Sequence, residues 1–286
     1  KFAALDPIDT HTHIYQPVPA VYAMLNALNL HTLDILVDSD NDPLDRNLAL
    51  ESKDAWNVVH KSDGRIAFCT TFDPYTFSRH DFDSVSIHKI NSDFAQGVVA
   101  VKLWKNVGME IKDAKGKYIM PDDPVFEPIF KDIEAHHKTL ITHVADPNSA
   151  WEAPNPLAPD YDWYTHHPKL YMYGKPGVPP KAEILAARDH ILDRNPKLRM
   201  VGAHLGSMES DFTQLAQHLD KYPNFAVDIA ARMPYVEMQP RAKMIAFFTK
   251  YQDRLIYGTD HEFFPGDNAQ ETIKEWQDDY ANDWRY

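Results

Sequence analysis

Cysteine is nearly missing. Cys69 is the only one in 286 residues, which excludes an intramolecular disulfide and a thiolate-bound metal cluster. Its place inside an apolar stretch reads as inert packing rather than as a nucleophile. Positive charge is also short: 29 Lys and Arg face 42 Asp and Glu, for a net charge of -13. Phosphate recognition needs a basic footprint, so a nucleic-acid or anionic-membrane partner is excluded. No uninterrupted apolar run approaches the ~18–20 residues needed to cross a bilayer, and none near the start resembles a signal-peptide core. A G-x-S-x-G elbow, a phosphate loop ending in Gly-Lys-Ser/Thr and a G-x-G-x-x-G fingerprint are all absent, which argues against a serine nucleophile, a phosphate-loop nucleotide site and a dinucleotide site.

What remains is a chain that folds. A hydrophobic fraction of 44%, with 12% aromatic residues, is sufficient for a sizeable core. The first residue is Lys1 rather than Met, consistent with removal of a leading segment. Localisation is therefore open between a soluble cytoplasmic protein and one exported after signal removal.

Eight short apolar segments read as strands, at 8–11, 32–37, 65–72, 97–103, 139–144, 199–204, 224–229 and 255–260. Most are continuous rather than alternating runs, the pattern of strands covered on both faces of a parallel sheet. Helical periodicity fills several gaps. Its clearest start is Asp123-Pro124, after which Phe126, Ile129, Phe130 and Ile133 share one face. Further helices are expected at 21–28, 46–59, 181–193, 211–222 and 241–251. Eightfold alternation predicts an α/β fold, a (β/α)8 TIM barrel forming one domain over residues 1–286, with a doubly wound sheet as the fold alternative. Residues 145–180 break the rhythm with eight prolines and the aromatics Trp151, Tyr161, Trp163, Tyr164, Tyr171 and Tyr173. A connection this long is expected to be a packed lid over a cavity after strand 5.

His11 and His13 stand two apart on the first strand, whose period of two points both imidazoles the same way. Alone, a His-x-His is weak among 15 histidines. His143, His204 and Asp260, however, fall at the C-terminal ends of the fifth, sixth and eighth segments, where barrel enzymes carry their catalytic groups. Neutral imidazoles with a carboxylate suit one divalent ion, zinc first and Mn, Fe or Co as alternatives. An ion so held activates water near neutral pH, and Asp260 can move the proton.

Asp9-Thr10-His11-Thr12-His13, Thr142-His143, Gly202-Ala203-His204-Leu205-Gly206 and Tyr257-Gly258-Thr259-Asp260 together resemble the amidohydrolase superfamily. More narrowly they resemble its amidohydrolase-related branch, which includes aminocarboxymuconate-semialdehyde-decarboxylase-like enzymes. The resemblance implies that His11, His13, His143 and Asp260 bind metal and that His204 polarises or protonates substrate. It also implies that Lys102, at the end of strand 4, would bridge two metals if carbamylated, a binuclear alternative to the single-ion site. Trp104, Lys105 and Asn106 follow that strand, and Arg232 follows the seventh. A lysine and an arginine there suit a substrate carboxylate or sulfate. Trp163, His166 and His167 in the long connection are further candidate substrate contacts, and His261 points away from Asp260 to support the site from behind. Only 26 residues follow Asp260, so an eighth helix cut short is expected.

The function read from these residues is metal-dependent hydrolysis of a small ester, lactone or amide. The alternative is metal-dependent non-oxidative decarboxylation of an unsaturated or aromatic carboxylic acid, and a non-catalytic binding barrel stands behind both. The partner is a small, polar molecule, and homodimerisation is common among such barrels.

Overall fold

The structure is a computed structural model that describes residues 2–38 and 48–286. The first two residues of the helix expected from position 46 lie outside the described residues. Among the described residues, nine parallel strands form one sheet: β1 (Ile8–Ile14), β2 (His31–Ile35), β3 (Ile66–Thr71), β4 (Ala100–Leu103), β5 (Thr139–Thr142), β6 (Arg199–Gly202), β7 (Phe225–Asp228), β8 (Leu255–Ile256) and β9 (His261–Phe263). They neighbour one another in the order β8-β7-β6-β5-β4-β3-β2-β1-β9.

The last two strands are one broken strand. β8 pairs with β7 through Val227–Leu255 and Asp228–Ile256, and β9 pairs with β1 through Thr12–His261 to Ile14–Phe263. The residues between them bond back to β1, Thr10 N to Tyr257 O at 3.0 Å and Asp260 N to His11 O at 2.8 Å. The ring of strands is thereby closed, and the barrel expected from alternation is the fold. The uninterrupted strand expected at 255–260 is corrected: β8 ends at Ile256, and Asp260, directly before β9, takes a left-handed conformation, φ +70°.

The helices lie between successive strands. Helix Glu127–Ala135 follows a 3-10 turn, Pro124–Phe126, in which the Asp123 carboxylate accepts from Val125 N. Phe126, Ile129, Phe130 and Ile133 are all buried as the spacing requires, each contributing about 1.5–3 kcal/mol by leaving water. Helix Phe82–Ala95 was not legible. Its inward positions are Phe82, Ser86, Ile90 and Asp93, so half of the stripe is polar, and Asp93 is satisfied internally by Thr70 Oγ1 at 2.5 Å and Lys89 Nζ at 2.8 Å.

The eighth helix is not cut short. Ala269–Arg285 spans 17 residues, capped by Asn268, whose side chain accepts from Gln270 N at 3.1 Å. It buries Trp276 and Tyr280 against Val21, Leu25 and Phe263 in the cluster beneath β1. Its charged outer face hides a narrow apolar stripe, which is why the acidic run at 277–280 does not read as core.

The connection at 145–180 is ordered as a 3-10 turn, Asn148–Trp151, and a short helix, Tyr161–His166. Among the described residues no helix is long and apolar enough to cross a membrane.

Candidate metal centre

β1 carries His11 and His13 into the barrel mouth, and each ring is tethered through Nδ1. His11 Nδ1 donates to Asp228 Oδ2 at 2.9 Å and His13 Nδ1 to Ile35 O at 2.6 Å. These partners assign the tautomers and leave both Nε2 atoms facing Asp260 Oδ1, each at 3.3 Å. His11 comes this close to the broken strand because position 258 is glycine: a Cβ there would stand 2.9 Å from His11 Cβ.

Asp260 is held in its left-handed turn by Asp9. Asp9 Oδ1 accepts from the backbone N–H of His11 and of Thr259, both at 3.1 Å. Its Oδ2 accepts from Thr259 Oγ1 at 2.6 Å and from Tyr280 OH at 2.8 Å. One buried carboxylate thus ties together the strand bearing His11, the turn bearing Asp260 and the last helix.

His204 does not end a strand as expected. β6 stops at Gly202, and His204, Leu205, Gly206 and Ser207 follow with φ of 57°, 57°, 62° and 60°. Left-handed backbone costs a non-glycine residue roughly 1–2 kcal/mol, and the surroundings hold it. Asp228 Oδ1 accepts from His204 N at 2.7 Å, the fully buried Arg188 guanidinium donates to Gly206 O at 2.6 Å, and Ser207 Oγ donates to Ala145 O at 2.5 Å. His204 Nδ1 donates to Ala230 O at 2.8 Å. The turn brings its ring within 4.8 Å of the His11 ring, centre to centre.

Among the described residues, His11, His204 and Asp260 form a group whose ligand atoms lie within 4.8 Å of one another. His13 borders this group. His143, just beyond β5, packs edge-on against His204 at 4.2 Å, and its Nε2 meets Asp146 Oδ1 at 3.2 Å. The tightest set therefore contains His204 where the sequence suggested His143.

The protonation states suit a cation. Burial, with Lys105, Lys102 and Arg232 nearby, pushes His143 well below its ordinary pKa. Burial and the neighbouring His143 do the same to His204. Burial alone would raise the Asp260 pKa, but the imidazoles of His204, His11 and His13 outweigh it and hold the carboxyl well below its usual range. Asp228, also buried, is drawn down to about 2 by His11. His13 differs, because burial is outweighed by its hydrogen bond to Asp260, which raises its pKa; the neutral His143 and His204 beside the ionised Asp260 are the ligand forms a first-row divalent ion takes.

A family model described as Amidohydrolase matches residues 95–283. The chain belongs to the amidohydrolase family. No curated protein matches the sequence, but solved structures do by shape. An uncharacterised TIM-barrel protein of Bordetella bronchiseptica has TM-score 0.54 at 13% identity, over 94% of this chain and 90% of that one. The 5-carboxyvanillate decarboxylase of Sphingomonas paucimobilis has 0.51 at 13%, over 93% and 92%. A dihydroxybenzoic acid decarboxylase of Polaromonas, solved with bound manganese and the inhibitor 2-nitroresorcinol, has 0.51 at 11%, over 94% and 90%. At these identities the likeness is one of fold.

The other residues singled out from the sequence divide in this amidohydrolase. Lys102 is buried with Nζ 3.2 Å from His11 Nε2, and burial lowers its pKa. Arg232 is buried at 6% exposure. Burial disfavours its charge, but Glu209, Asp160, Asp146 and Asp260 outweigh that and keep it cationic. Lys105 is buried in an ion pair with Asp146 at 2.7 Å, and the Trp163 ring lies 4.5 Å from its Nζ. The long connection thus does roof this side of the mouth. Asn106 instead bonds to Asp38 O. His166 and His167 are exposed, the latter stacked on Trp163, and His261 stacks on Trp276 at 4.8 Å, away from the cluster.

Asp228, Asp146 and Glu209 were missed as site residues. Asp228 had a visible signal, an acid closing an apolar strand, and Asp146 another, an acid three residues after a candidate histidine. Glu209 had none.

Proposed function

We propose that this amidohydrolase is a metal-dependent, non-oxidative decarboxylase of a small carboxylic acid. The observation that carries the reading is the pairing of one compact His/Asp cluster with buried cations, Arg232 and Lys105, at the same mouth. A cation fixed beside a metal is placed to orient a carboxylate rather than a neutral ester. That two proteins of similar fold are described as decarboxylases supports the reading.

We place the ion at the junction of His11, His204 and Asp260, completed by His13 and His143. The imidazole-rich set suits zinc, with manganese as the alternative. A bound divalent ion would supply Lewis acidity toward a substrate oxygen. Arg232 binds the departing carboxylate, Trp163 covers the mouth, and Asp260, ionised at rest with its side chain 27% exposed, would take up a proton from solvent and pass it to the carbon that loses CO2. Lys102 acts as a buried amine beside His11.

The same exposure of an ionised Asp260 favours hydrolysis as a second reading, with Asp260 taking a proton from water. The two separate in one assay. Metal-loaded protein is offered aromatic and unsaturated acids with CO2 detection, and lactones, esters and N-acyl compounds with acid detection. CO2 release is the expected outcome, and hydrolysis without CO2 would overturn the first reading. Metal content is measured alongside: His11→Ala and Asp260→Asn should each lose the stoichiometric ion, and undiminished metal in both would remove the centre.

A further inference from the structure

On the outer side of the barrel wall, one buried carboxylate faces a cavity lined by further acids. Side chains alternate along β2. Leu33 and Ile35 join Cys69, Ala100 and Ile141 of the neighbouring strands, so Asp34 between them turns the other way, towards the helix layer. Leu36, next on that side, packs against Ala55 of helix Leu48–His60. Asp34 is 2% exposed, its Oδ1 accepts from Ile14 N at 2.8 Å, and its Oδ2 has no hydrogen-bond partner among the described residues. The space between strand and helix ordinarily holds apolar side chains, and a charge is kept there only for a partner.

Asp34 lines a cavity of about 220 Å³. Besides the Tyr15 hydroxyl, its polar side chains are three carboxylates, Asp34, Glu51 and Asp54, and among the described residues no lysine, arginine or histidine lines it. Glu51 and Asp54 stand three apart on helix Leu48–His60 and so share one face. Tyr15 and Phe264 add aromatic faces, stacked at 4.8 Å and 10°. The acids act on one point: burial raises the Tyr15 pKa most, and Glu262, Asp34, Asp260 and Glu51 raise it further.

This lining calls for positive charge on an apolar body. A hard divalent ion surrounds itself with about six oxygens, which the apolar remainder of the wall does not supply. An ammonium group needs only an acceptor for its N–H, and carbon attached to it gains from the rings. We propose that Asp34, Glu51 and Asp54 form a site for a small organic ammonium ion, its N–H donating to Asp34 Oδ2 and its apolar body lying against Tyr15 and Phe264. The site uses none of the residues assigned to the metal and stands whether or not the reaction is a decarboxylation.

The test is calorimetric titration of the full chain with benzylammonium and with benzyl alcohol, a neutral molecule of the same shape. It is run near pH 8, where the amine keeps its proton and Asp34, pushed up to about 7 by burial against the lesser pull of Ile14 N–H and His13, is ionised. Wild type should bind benzylammonium at least about tenfold more tightly than the alcohol, the scale of one hydrogen bond between charged groups. Asp34→Asn, which keeps an acceptor for Ile14 N–H, should remove that preference about tenfold and leave the alcohol unaffected. Glu51→Gln should weaken the amine about threefold, and it decides if Asp34→Asn does not fold. Equal binding of the two probes, binding of neither, or an affinity for the amine unchanged in the folded variants overturns the proposal. Displacement of the amine by millimolar Mg²⁺ would mark a site for an inorganic cation and overturns it as well.

Discussion

Asp34 is where one residue has the largest isolated consequence. It is buried, its Oδ1 accepts from Ile14 N at 2.8 Å, and its Oδ2 has no partner among the described residues. Burial pushes its pKa up to about 7, against the lesser pull of Ile14 N–H and His13. A folded-state pKa raised above the unfolded value of 3.8 means that stability is fully present below pH ~4 and is lost as pH rises through ~7, by about 4 kcal/mol at most. Asp34→Asn keeps the bond to Ile14 and cannot ionise. Its stability relative to wild type should therefore climb between pH 4 and pH 8 in urea unfolding, and a flat difference would show that Asp34 stays ionised when folded. Residue types were the most legible part of the site. His11, His13, His143, His204 and Asp260 announce themselves by ligand chemistry at strand ends. The anchor Asp9 does not, because a buried carboxylate looks like any other acid until its donors are in place, and Asp228 shows only as an acid closing an apolar strand.

At the scale of elements, the site depends on two left-handed turns braced from outside. The turn at 204–207 needs Gly202, where a Cβ would fall 2.6 Å from Phe225 Cζ and 2.7 Å from Gly206 Cα. Gly202→Ala should cost about 1–3 kcal/mol by overpacking and weaken zinc binding, because His204 rides on that turn. Urea unfolding with zinc titration would show both effects, and unchanged zinc affinity would separate the turn from the centre. The turn at Asp260 is braced by the last helix through Tyr280 and Asp9. Tyr280→Phe removes one donor from a buried carboxylate and should cost about 1–3 kcal/mol, with zinc affinity falling in parallel. Helix 241–251 matched its expected span, and strands 2 to 7 lay within one to three residues of theirs at each end. The eighth strand was misjudged for one reason. Its break is decided by bonds to β1, which lies some 250 residues earlier.

For the whole molecule, an ion bound at the proposed centre would couple to folding. The centre joins β1, the turn after β6 and the break after β8, so an ion that binds only the folded barrel clamps segments drawn from both ends of the chain. Chelation should lower the melting temperature, and readdition of zinc should restore it in proportion to the logarithm of free metal. A melting temperature indifferent to zinc would detach the centre from the fold's stability. Salt should matter little, since the charges that define the site are buried and only weakly screened.

The sequence by itself determined the barrel, through eight apolar segments alternating with helices, and the candidate site residues, through imidazoles and a carboxylate at strand ends. Both are carried by local pattern and residue type. Only the tertiary structure decided which imidazoles meet, how the ring closes through a broken strand, and which polar atoms are left over. Those depend on backbone conformations and long-range hydrogen bonds that no local window contains. His204 shows the difference: its identity marks it as a site histidine, but four left-handed residues and the Asp228 carboxylate place it beside His11 and Asp260.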